Sequence, residues 1–156
     1  MGLLDIRHGQ GVFVATDASH IGLRRIDWAL LLGSRDMLNL VDARRVLEVQ
    51  IAALAAERST PADLGRMAAC LQDMRAARTR QAIQEADVAF HLALAEASQN
   101  DVFVHIVRTL RELVQRMSWK SPNTKAARVA EHARILRAVR AGNVEGATQA
   151  MRDHFH

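Results

Sequence analysis

Cysteine is almost missing from this chain: Cys70 is the single one among 156 residues. A disulfide framework within the chain and a cysteine-based zinc finger are both excluded, and an inert thiol in a reducing compartment is the expectation. Proline is nearly as scarce, at two residues, tyrosine is absent, and aromatics make up 4%. No apolar run approaches the roughly 18 residues that a membrane span needs, and the N-terminus lacks the apolar core of a signal peptide. A soluble, intracellular, cytoplasmic protein with no membrane partner is expected. Charge of one sign does not dominate either. The 21 Lys and Arg against 17 Asp and Glu leave +4, scattered as singles and pairs, which permits an acidic partner without demanding one.

What is plentiful is Ala, Leu and Arg, all strong helix formers. At this length one domain with a single core is the default. The fold expected is all-α, an antiparallel bundle of six to seven helices preceded by a short N-terminal β-hairpin remnant.

Three regions follow in order. Residues 1–15, "MGLLDIRHGQGVFVA", set two short apolar runs around "HGQG", with Gly9 and Gly11 free to take the positive φ of a tight connection. Such a hairpin is marginal alone, so it either packs on the body or is left from a domain that began upstream. Residues 16–33 read as a linker leading into a short helix around Ile26 to Leu32. From 34 to 156 the helical signals are regular. Leu38, Val41, Val46, Ile51 and Leu54 recur at three- to five-residue intervals in a helix ending near Arg58. Thr60 caps the next, with Pro61 at its first position and Asp63 in its first turn. Further helices are expected over about 79–98, from Asn100 and Asp101 to about Trp119, over about 124–141, and after Gly142 and Asn143, which stop one helix and cap the last.

"ADVAFHLALAEASQN", residues 86–100, places Asp87 and His91 one turn apart at the edge of an apolar stripe formed by Ile83, Phe90, Leu94 and Ala97. An unpaired carboxylate there is expensive to bury and needs a cation or donors. The plainest compensation is a hydrogen bond to a protonated His91. Two other histidines suggest more. His132 lies in the stripe Val129, His132, Leu136, Val139, and His154 borders the stripe of Val144, Ala147, Met151 and Phe155. His132 precedes Gly142 by ten residues and His154 follows Asn143 by eleven. At the helical rise both lie ~15 Å from the turn, so an antiparallel hairpin brings them level. One carboxylate and three imidazoles suit a divalent metal: Zn, or Ni, Mn or Fe with waters completing an octahedron.

The remaining histidines carry less. His156 points away from His154 and reads as exposed, His8 and His20 follow no pattern, and His105 reads as a satisfied core histidine. Glu131 is directed about 100° off His132, a poor ligand but suited to steadying one from outside. No Glu-x-x-His pair occurs, which argues against a di-iron bundle, and no His-Glu-x-x-His, which removes the usual zinc-protease pattern.

Taken in order, these segments resemble the GntR-type bacterial transcription regulators of the FadR class, whose C-terminal effector-binding domain is called FCD. "GLLDIRHGQGVFVA" looks like the wing of their winged helix-turn-helix, through Gly9, Gly11, Phe13 and Val14. "DARRVLEVQIAALAAERSTPADL" is similar to the first long FCD helix and the turn after it, with Arg44, Leu47 and Glu48 matching and Asp42 standing where the family usually has Glu. "ADVAFHLALAEASQN" and "EHARILRAVRAGNVEGATQAMRDH" resemble the family's Asp-x-x-x-His helix and its terminal hairpin. The resemblance implies metal ligation by Asp87, His91, His132 and His154, and a small carboxylate effector on the open positions of the metal. It implies a contact from Arg44 to that effector, because a guanidinium pairs with a carboxylate bidentately; the competing reading puts Arg44 on a solvated face beside Arg45. It also implies a homodimer that reads palindromic operator DNA. The pattern starts inside the wing, so the recognition helix is missing from the sequence and this polypeptide by itself is not expected to bind an operator specifically.

A ligand sensor without turnover is the leading reading, with no catalytic residues. A metal-dependent hydrolase is the second, since open coordination can activate water, but no nucleophile or well-placed base stands beside the ligands apart from Glu131. A bundle with a purely structural metal is the third.

Overall fold

Helix boundaries fall where the capping residues stand. The computed structural model describes residues 4–7, 11–14, 34–116 and 124–155. Among them are six helices: α1 (Ser34–Arg58), α2 (Pro61–Ala76), α3 (Arg80–Ala97), α4 (Asp101–Arg116), α5 (Lys125–Arg140) and α6 (Val144–His154). Two four-residue strands, β1 (Leu4–Arg7) and β2 (Gly11–Val14), pair antiparallel with Leu4 opposite Val14 and Arg7 opposite Gly11. The short helix expected near Ile26, the end of α4 expected near Trp119, and His8, His20 and His156 lie outside the described residues. No described helix is long and apolar enough to cross a membrane.

Thr60 starts α2 as expected. Its hydroxyl accepts from the Asp63 N–H, while the Asp63 carboxylate takes the Thr60 N–H at 2.8 Å, closing a reciprocal cap. The same carboxylate receives Gln99 Nε2 at 3.1 Å, which ties the start of α2 to the α3–α4 turn. Gln99 itself sits in the left-handed region, at φ 54°. Thr60→Ala is therefore expected to lower stability by about 1–2 kcal/mol, read from urea unfolding; an unchanged midpoint would show that the cap contributes nothing.

At the other turn Gly142 takes φ 64°, and the N–H groups of Gly142 and Asn143 reach back to Val139 and Ala138 carbonyls, both at 3.0 Å. This left-handed cap satisfies the orphan carbonyls of α5 and turns the chain into α6. Asn143 then caps α6 through the Gly146 N–H at 2.8 Å.

The core is built on Ile51, Met67, Phe90, Leu94, Ile135 and Met151, all fully buried. α1 touches α3, α4, α5 and α6, so its inner face passes through the middle of the bundle. That face matches the apolar periodicity only in part: Ile51 is buried and Val41 and Leu54 are half-buried. Leu38 and Val46 are exposed, at 61% and 66%, whereas Arg44 and Glu48 are buried along with Leu40, Ile51 and Ala55. The reason is that Glu48 meets Arg111 and His91 on other helices while Arg44 pairs with Glu48 and lies against Phe155, contacts that local periodicity does not register.

Candidate metal and effector site

Three helices bring their polar groups to one point inside this core. Asp87 and His91 leave α3 one turn apart, His132 comes from α5 and His154 from the last turn of α6. One ligand-type atom from each of these four lies within 4.8 Å of the others. Asp87, His91 and His132 are buried and His154 is partly so. The His132 and His154 ring centres are 4.7 Å apart, so the antiparallel turn at Gly142 does bring the two levels together. Phe90 packs edge-on against His132 at 4.7 Å and restricts the rotation of that ring.

Each imidazole has an oxygen from outside the four residues beside its Nδ1. His132 Nδ1 is 2.8 Å from the Arg128 carbonyl, and His154 Nδ1 is 2.9 Å from Glu131 Oε2. His91 Nδ1 touches Glu48 Oε2, although without hydrogen-bond alignment. Acceptors on Nδ1 favour the tautomer that carries its proton there, leaving the Nε2 lone pair for a metal. The buried Nε2 atoms of His91 and His132 make no hydrogen bond. Buried polar atoms are ordinarily paired, so two imidazole nitrogens without a hydrogen bond, in a group whose four ligand atoms converge within 4.8 Å, fit a metal ion as their missing partner.

The protonation states agree with that use. Burial, together with the charge of Arg111, pushes His91 down to about 3. Burial likewise lowers His154, against the hydrogen bond of Glu131. Burial by itself would raise Asp87, but Arg111, the His132 ring against its Oδ1 and the neighbouring histidines hold its carboxyl well below the usual range. At neutral pH His91 and His154 are thus favoured as neutral imidazoles and Asp87 as an ionised carboxylate, the forms that bind metals.

Around the cluster runs a charge network that the sequence reading did not assemble. Glu48 is 2% exposed and meets Arg44 Nε at 3.0 Å and Arg111 Nη2 at 3.3 Å. Arg111, on α4, also places Nη1 2.5 Å from Asp87 Oδ2. Asp87 Oδ1 faces His132 Nε2 at 3.2 Å and Arg128 at 3.8 Å. Arg44 is buried, with its guanidinium carbon 5.3 Å from the Phe155 ring centre, and is not on the solvated face; its neighbour Arg45 is there, paired with exposed Asp42. Glu131 engages His154 from outside the four-residue group, and half-buried His105 is not a member of it. Arg111 was the residue missed outright. Its only local trace is a place one turn after buried Val107 on an otherwise amphipathic helix.

Comparison with known proteins bears on what such a bundle is for. Residues 39–156 match the FCD domain family. The chain is 36% identical to the HTH-type transcriptional regulator LutR of Bacillus subtilis, across 99% of this chain and 75% of that protein. It is 35% identical to the Glc operon transcriptional activator of Escherichia coli, over 77% of this chain and 52% of that one. A putative L-lactate dehydrogenase operon regulatory protein of Escherichia coli is 29% identical over 75% of this chain, which spans 48% of its length. The chain thus covers about half the length of the latter two. Among solved structures, Streptococcus agalactiae GntR superposes with a TM-score of 0.71 at 25% identity, covering 99% of this chain and 72% of that one.

Proposed function

The chain belongs to the FCD family of GntR-type transcription regulators, and from that premise we propose that it is a metal-dependent sensor of a small carboxylic acid. Asp87, His91, His132 and His154 are its metal ligands in this reading, with zinc favoured by the three-nitrogen, one-oxygen set and nickel, manganese or iron also suited. The observation that carries it is the convergence of one ligand atom from each of the four residues within 4.8 Å, with the buried Nε2 atoms of His91 and His132 left without a hydrogen bond. Relatives in the family are transcription regulators, not enzymes, and Glu131, the one candidate base, is engaged by His154.

A bound metal would supply Lewis acidity that draws the oxygens of the acid. The chain's own residues do the rest. Glu48 and Glu131 hold the rings of His91 and His154, and Phe90 limits the rotation of His132. Arg44, buried between Glu48 and Phe155, is the residue assigned to the acid's carboxylate. One relative is named for an L-lactate dehydrogenase operon, which makes a short 2-hydroxy acid the first probe to try. Regulation follows by linkage: an acid that binds one arrangement of a homodimer better than another shifts the balance by that difference, about 1–3 kcal/mol. Operator DNA would be bound by an N-terminal winged helix-turn-helix in the full-length regulator, with the β1–β2 ladder as the end of its wing.

Removing metal with a chelator is expected to lower the thermal midpoint, and Asp87→Ala or His154→Ala to abolish stoichiometric zinc measured by elemental analysis. Full zinc content in both variants would refute the ligand assignment. Addition of L-lactate to the zinc-loaded protein should raise the midpoint, and Arg44→Met should remove that rise while zinc is retained.

A further inference from the structure

Arg111 is used by nothing in the reading above, yet it is the most deeply placed cation beside the cluster. It is 5% exposed, its Nη1 and Nη2 reach Asp87 and Glu48, and its Nε has no hydrogen-bond partner. Asp87 divides its two oxygens accordingly. Oδ2 goes to the Arg111 guanidinium at 2.5 Å, and Oδ1 faces His132 Nε2 at 3.2 Å with the more exposed Arg128 farther off at 3.8 Å. A buried carboxylate without a counter-cation is strongly disfavoured, so in the metal-free bundle Arg111 supplies the charge that a metal would otherwise bring. A divalent ion held by the four ligand atoms would coordinate the same carboxylate, within a few ångströms of the guanidinium, and like charges at that range in a buried setting repel strongly.

Resting on the assignment of the four residues as metal ligands, we infer that Arg111 is the counter-cation of Asp87 whenever no metal is held, and competes with the metal for that carboxylate. It supports the fold when no metal is held and weakens metal uptake when one arrives, so loading the site is coupled to α4. Arg111 is a positioning residue on this account. A guanidinium that merely oriented Asp87 would act in the opposite direction, since its loss would loosen the metal.

Zinc titration of the whole 156-residue chain against a competing chelator, together with the thermal midpoint of the metal-free protein, separates the two. Arg111→Met is expected to bind zinc at least about tenfold more tightly than the wild type and to melt at a lower temperature without metal. Arg111→Lys, which keeps the charge, should stay close to wild-type affinity. Equal or weaker zinc binding by Arg111→Met, with one zinc still taken up by the wild type, overturns the inference and leaves the ligand assignment standing. Zinc uptake by Arg111→Met alone, abolished by adding His132→Ala, supports it in its strongest form. No uptake by either protein overturns both readings. Should Arg111→Met not fold without metal, refolding with zinc present decides: recovery supports the competition and failure overturns it.

Discussion

Glu48→Gln is expected to lower folding stability by about 3–5 kcal/mol, the range found when one partner of a buried ion pair is removed. Glu48 is fully enclosed and faces Arg44 Nε at 3.0 Å and Arg111 Nη2 at 3.3 Å, with His91 in contact. Burial on its own would raise its carboxyl, but Arg111, His91 and Arg44 together hold it well below the ordinary glutamate value. The two guanidinium groups already oppose each other: burial first, and then the charge of Arg111, lower Arg44. A neutral amide at position 48 keeps the shape and removes the anion that separates these cations, leaving Asp87 as the only acid paired with Arg111 among the described residues. Urea unfolding with metal chelated measures the loss. A change under about 1 kcal/mol, the level of an exposed ion pair, would mean that water screens this network.

The second large effect is with pH. In the folded protein His91 titrates at about 3, against 6.5 for a free imidazole. Between those values the unfolded chain binds a proton that the folded chain refuses, so stability falls as pH falls through this window. At about 1.4 kcal/mol per pH unit, acidifying from neutrality to pH 5 should remove roughly 2 kcal/mol through His91 alone. His154, also lowered by burial, adds in the same direction. Glu48 and Asp87 have folded values lowered from 4.5 and 3.8, so the stability they contribute is lost only at more acid pH. The thermal midpoint of the metal-free protein at pH 7.5 and pH 5 tests this, and a flat profile between them would show that His91 and His154 are solvated. With zinc present the same acidification should release the metal, because protons and metal compete for the same nitrogens.

The chemistry of the site was legible to different depths. Asp87 and His91 could be paired from spacing alone, because four residues on a helix fix both direction and distance. His132 and His154 could be brought level from the helical rise on either side of Gly142, because one tight turn leaves little freedom in how two helices align. Arg44 could be read in two ways, since its partner Glu48 is local but the burial of both depends on four other helices. The apolar stripe of α1 misled in part for the same reason: Ile51 is buried, but Leu38 and Val46 continue the pattern yet face outward, while Arg44 and Glu48 turn inward. Arg111 stands 24 residues from Asp87 and 63 from Glu48, and no periodicity connects positions so far apart.

Local chemistry therefore determined the helices, their caps, the all-α class and the one-turn carboxylate–imidazole pair, because each depends on neighbours within a few residues along the chain. Tertiary packing alone decided which face of α1 is inside, that Glu48 and Arg111 surround the cluster, and that the Nε2 atoms of His91 and His132 are buried without a hydrogen bond. Burying a charge is tolerable only when its counter-charge arrives from another helix, and that meeting exists only once the bundle has closed.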